Sequence, residues 1–179
     1  MVREVGCHGY SDYDALRFFV MNLNRMFFVT TVCWRRMPYF KDARKAELMM
    51  DVLEHYQRQG KYALHEFVVM PDHLHVLIAP AEDLSLERAV QLIKGGFSYR
   101  VGQLERKRGL VWQESFTNHR IRNEEDYKGH AMYIRMNPVK AGLVERAEDY
   151  SYSSAGMKSA ERKSSEWKSG SLEPRKRVV

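Results

Sequence analysis

Cysteine is scarce in this chain: Cys7 and Cys33 are the only two among 179 residues. Two thiols cannot build the disulfide framework of a small secreted domain. Long apolar runs are missing as well. The longest largely apolar stretch, Met26 to Trp34, is too short to span a bilayer, so no membrane partner is expected. The N-terminus has no apolar segment after a basic start, which argues against a signal peptide. Five prolines and eleven glycines are too few for a collagen-like or low-complexity chain, and no heptad or internal repeat is visible. Acidic residues are in the minority, 23 against 29 Lys plus Arg, which leaves a formal net charge of +6. What remains is 44% hydrophobic and 29% charged, the composition of a folded domain of ordinary size. The expected location is a reducing compartment, the cytoplasm.

The charge is unevenly placed. Residues 1–93 sum to −1 and residues 94–179 to +7, of which 158–179 contribute +4. An excess in the second half suits a polyanionic partner, and equally a solvated surface with a basic tail. Residues 158–179 hold five Ser and seven Lys or Arg and read as a flexible tail behind a single domain over 1–157.

The pattern predicts a strand over Met26–Trp34, then a helix from Ala43 to Gln59 with Asp42 as its cap and Gly60 as its stop. Strands over 62–70 and 73–79 flank the turn signal Pro71-Asp72 and form a hairpin. A second helix runs over 84–104, with Gly95-Gly96 as a point of kinking or loosening. Residues 110–122 hold a strand and a loop. A third helix, capped by Asn123, runs to Met136 and ends at Asn137-Pro138. Strand, helix, strand, strand, helix, strand is the split βαβ, ferredoxin-like order of an α+β fold, with an antiparallel sheet, helices on one face and an additional C-terminal helix.

Two constellations carry chemistry. In His73-Leu74-His75, residues i and i+2 of a strand share a face. Two adjacent imidazoles are half of a divalent-metal site; two polar residues on a solvated strand face are the plainer alternative. On the third helix Tyr133 and Asn137 are i and i+4 and share a face. A phenol nucleophile and a hard oxygen ligand can there meet one metal. The plainer alternatives are a Tyr packing its ring in the core and an Asn that merely stops a helix before Pro138.

The stretch VVMPDHLHVLIAP (68–80) resembles the HUH segment of single-tyrosine transposases, in which a bulky hydrophobe separates two histidines. LIKGGFSYR (92–100) and the run from Val111 to Ser154 resemble more narrowly the REP-associated tyrosine transposases. The resemblance covers roughly 26–156 and implies a ferredoxin-like enzyme that cleaves and rejoins single-stranded, hairpin-bearing DNA through a 5′-phosphotyrosine. On this resemblance Tyr133 is the catalytic nucleophile, and His73, His75 and Asn137 are the ligands of Mg2+ or Mn2+. Candidate DNA contacts are Lys94, Arg100, Trp112, His119, Arg120, Arg122, Arg135 and Lys140, basic groups for phosphates and aromatic ones for unpaired bases. A monomer or a homodimer, associated with a bacterial nucleoid, is implied. Competing readings are an HUH replication initiator or relaxase, a metal-dependent hydrolase without a covalent intermediate, and a non-catalytic nucleic-acid-binding regulator.

Overall fold

The aromatic and β-branched run that opens the domain forms strand β1 (Phe27–Val32) in the computed structural model, which describes residues 25–106 and 109–157. Helix α1 (Ala43–Arg58) follows, its Asp42 cap accepting a hydrogen bond from the Arg44 amide. Strands β2 (Tyr62–Met70) and β3 (His73–Pro80) form the hairpin across Pro71-Asp72. Helix α2 (Leu86–Glu105) starts on Ser85, which accepts from the Arg88 amide. Strand β4 (Thr117–Arg120) and helix α3 (Glu124–Lys140) complete the order, with Asn123 accepting from the Asp126 amide at the start of α3. The sheet runs β2-β3-β1-β4 with every pair antiparallel. This is the predicted ferredoxin-like α+β arrangement. The expected domain over 1–157 begins outside the described residues, as does Cys7, and the expected tail over 158–179 lies outside them entirely.

The sheet is buried on both faces, and the alternation of β3 divides its side chains between them. Leu74, Val76 and Ile78 join Met49, Leu53, Ile93 and Phe97 of α1 and α2 in the larger core. Leu77 and Ala79 point the other way and pack with Ala131 and Ile134 of α3. The two helices of the ferredoxin-like unit therefore cover one face and α3 covers the other. Each fully buried Leu, Ile or Phe contributes roughly 2 kcal/mol by removal of apolar surface from water. Beyond α3 the chain passes a 3₁₀ turn at Ala147–Asp149 and runs along β2. There the Val69 amide donates to the Tyr152 carbonyl at 2.9 Å, and Val68 bridges Ser153.

Two local expectations are corrected. Gly95-Gly96 neither kinks nor loosens α2; Gly96 lies where α1 approaches, and a Cβ there would fall 2.7 Å from the Tyr56 ring. The small residue is a packing requirement. Nor does Asn137-Pro138 end α3, which continues to Lys140 with Pro138 buried inside it. The stop comes from Gly142, at φ +67°. Its amide donates to Val139 O at 2.9 Å and the Leu143 amide donates to Pro138 O at 2.9 Å, a Schellman closure. Pro138 forfeits one helical donor near the end of the helix, and the closure satisfies the last carbonyls. Asn137 is consequently a helical residue.

Candidate active site

His73 and His75 project from β3 toward α3, with ring centroids 4.7 Å apart. Each has its Nδ1 engaged. Asp72 Oδ1 lies 2.5 Å from Nδ1 of His73 and accepts a hydrogen bond from it, and Arg36 donates to the other Asp72 oxygen at 3.0 Å. Burial opposes the charge on Asp72, but the hydrogen bonds from His73 and Arg36 outweigh it and hold the carboxyl below its usual range. Thr30, directly opposite His75 in the β1–β3 ladder, places its hydroxyl 2.7 Å from Nδ1 of His75. On both rings Nε2 is the nitrogen left for a ligand, the pattern of oriented metal-binding histidines. His75 is 5% exposed. Burial first, and the neighbouring His73 second, push its pKa down to about 3, so it is neutral at pH 7, as a ligand must be.

Tyr133 projects from α3 onto this pair. Its ring centroid is 5.3 Å from that of His75 at 71°, while 42% of the residue stays exposed. Phe28 seats both, stacked on His75 at 5.3 Å and edge-on to Tyr133 at 5.8 Å. The Lys140 ammonium lies 5.6 Å from the Tyr133 ring centre. Asn137, half-buried, follows Tyr133 by one turn on the same stripe of α3. His73, His75 and Tyr133 are thus gathered by a single chain. Two imidazoles, with the amide of Asn137 one turn beyond Tyr133, are donor types suited to a hard or borderline divalent cation.

The helix itself is tied down. Glu66 on β2 is 1% exposed and is held by hydrogen bonds from Arg135 and from Ser154 of the C-terminal segment. Arg135 is therefore engaged in the fold. Lys94 is too: its Nζ donates to the carbonyls of Gln113, Glu114 and Ser115 at 2.6, 3.0 and 3.4 Å. Trp112 is 7% exposed, packs on Phe40 and Phe97, and donates its indole N–H to Lys94 O at 3.0 Å. Both side chains thus hold the segment before β4 against α2. Arg100 sits on α2, in the layer opposite Tyr133. Arg120 and Arg122 are exposed at the end of β4, and His119 is bonded to Asp126 at 2.9 Å.

Sequence reading missed Asp126 and His130. They precede Tyr133 by seven and three residues and share its stripe. The spacing 126, 130, 133, 137 was the available signal.

A tyrosine over an HUH pair on a ferredoxin-like sheet defines a class. The family described as "Transposase IS200 like" matches residues 23–137, and the chain belongs to it. Within that class the kinship lies with the REP-associated tyrosine transposases. The one from Escherichia coli (strain K12) is 33% identical over 98 residues, covering 54% of this chain and 56% of the relative. A Haemophilus influenzae protein carrying the same name in provisional form is 32% identical over 96 residues, covering 48% of this chain and 54% of that one. The chain therefore spans about half the length of these curated relatives. A solved REP-associated tyrosine transposase bound to a REP hairpin superposes with a TM-score of 0.63 at 27% identity, covering 73% of this chain and 76% of the other.

Proposed function

We propose that this protein is a metal-dependent endonuclease and strand transferase for single-stranded DNA beside a hairpin, with Tyr133 as nucleophile. The observation that carries the reading is the Tyr133 ring seated over His75 within one chain. Kinship with a protein solved on a REP hairpin supports the choice of substrate.

His73, His75 and Asn137 would hold Mg2+ or Mn2+. When bound, the cation supplies Lewis-acid polarisation of the scissile phosphate. Tyr133 Oη attacks phosphorus and gives up its proton. The Oη–P bond forms, the P–O3′ bond breaks, and the departing 3′ oxygen takes a proton. The products are a 5′-phosphotyrosine and a free 3′-hydroxyl. The covalent linkage conserves the phosphodiester, so the 3′-hydroxyl of another strand can reverse the step without ATP. Phe28 and the Glu66–Arg135 tie hold the phenol over the histidines, which supplies the positioning such an attack requires. The Lys140 ammonium, 5.6 Å from the Tyr133 ring centre, would neutralise a phosphate brought to the phenol, and Arg120 and Arg122 would extend the basic surface at the end of β4. A DNA-acting enzyme of this kind belongs in the cytoplasm, at the nucleoid.

The test is cleavage of a labelled hairpin with a single-stranded foot. Mg2+ should support cleavage and EDTA should abolish it. His73→Ala should lose cleavage while keeping most DNA binding. Cleavage that persists in EDTA would refute the metal role.

A further inference from the structure

A second cluster of metal-ligating side chains lies one helical turn before Tyr133, apart from the HUH pair. His119 of β4 and Asp126 and His130 of α3 each offer a ligand atom, and these atoms lie within 4.8 Å of one another. His119 Nε2 is 3.1 and 2.9 Å from the two Asp126 carboxylate oxygens. His130 Nδ1 is 3.0 Å from Asp126 Oδ1 and 2.9 Å from the Asp126 carbonyl oxygen. The Arg122 amide donates to Asp126 Oδ2 at 3.0 Å. The two imidazoles stack at 4.6 Å and 17°.

From this geometry we infer a second divalent-cation site, built from His119, Asp126 and His130. Stacked rings at this distance repel when both are protonated, whereas a shared cation suits both in their neutral form. Two imidazole nitrogens and one carboxylate oxygen match borderline divalent ions such as Co2+, Zn2+ and Mn2+. Ligand atoms around one ion at about 2.1 Å lie roughly 3 to 3.5 Å apart, so small side-chain rotations close the shell. Each ring must turn a lone pair toward the ion. A tautomer shift moves the N–H to the other ring nitrogen, with no net change in protons. Phe28 separates this site from the HUH pair, 4.9 Å from His130 and 5.3 Å from His75. Because its ligands come from β4 and from the first two turns of α3, the bound ion clamps the tyrosine helix to the sheet edge.

The experiment uses Co2+ as probe on the full chain. A His73→Ala/His75→Ala variant, which removes the HUH ligands, should still bind one Co2+ per chain by equilibrium dialysis. Adding His119→Gln/His130→Gln should abolish that binding, and Asp126→Asn alone should weaken it at least about tenfold. On the His73→Ala/His75→Ala chain, Co2+ should shift the imidazole proton resonances of His119 and His130, a shift that an ion at the HUH pair cannot supply there. Unshifted resonances at saturating Co2+, or binding that survives loss of both histidines, would overturn the site. Failure here leaves HUH-dependent cleavage intact, and failure of cleavage leaves this binding intact.

Discussion

Thr30 and His75 face each other across the β1–β3 ladder, with the threonine hydroxyl 2.7 Å from the imidazole Nδ1. The strand register thereby orients a buried ring and leaves Nε2 as its nitrogen for a ligand. Partners of this kind are worth about 10- to 100-fold in metal affinity. Thr30→Val, close in shape but without the hydroxyl, should fold normally and lose affinity for Mn2+ in that range in a titration. Unchanged affinity would show that the contact does not orient His75.

The Glu66–Arg135 pair should govern stability. Glu66 is buried to 1% exposure, so removing Arg135 leaves a carboxylate in the interior without that cation, although Ser154 still donates to it. Arg135→Met should cost about 3 kcal/mol in urea unfolding. The double variant Glu66→Gln/Arg135→Met should recover most of that loss, since no charge is then left unpaired. A double variant as unstable as the single one would mean that the contact matters through packing alone.

Acid should destabilise the metal-free chain through His75. An unfolded imidazole titrates near 6.5 and the folded one near 3. As pH falls, the unfolded state takes up the proton first. The contribution is therefore fully present above about pH 6.5 and is lost as pH falls through 3, on the order of 5 kcal/mol at the limit. His75→Asn should show a shallower dependence of unfolding free energy over that window. An identical slope would place the acid sensitivity elsewhere.

Cys33 should be inert. Burial first, and the charge of Asp72 second, push its pKa up to about 12, and the thiolate is the reactive form. In a Cys7→Ser background, the native chain at pH 8 should react with a thiol reagent only at the rate of unfolding, and react rapidly in urea. Rapid native reaction would contradict the packing around β1.

Much of the fold was legible because its signals are local. The β-branched runs on either side of Pro71-Asp72 fix the hairpin, and Asp42 and Asn123 each cap the helix expected of them. Proline propensity misplaced the end of α3, since the deciding residue, Gly142, acts through hydrogen bonds to carbonyls behind it. His73, His75, Tyr133 and Asn137 could be proposed from spacing and family resemblance. The partners of the basic residues could not. Lys94 is drawn to carbonyls 19 to 21 residues away and Arg135 to a carboxylate 69 residues away, so both read as free cations in one dimension. Asp126 and His130 show the opposite case: their stripe was present in the spacing, but only its last two members were read.

The proposed function turns on attack of Tyr133 on DNA. The direct measurement is the covalent adduct formed with a 3′-labelled hairpin oligonucleotide in Mg2+, in which the labelled downstream fragment stays on the protein, resolved on a denaturing gel. The wild-type chain should carry label on the protein, and Tyr133→Phe should carry none while still binding the hairpin. A labelled adduct on the Tyr133→Phe chain would contradict the assignment.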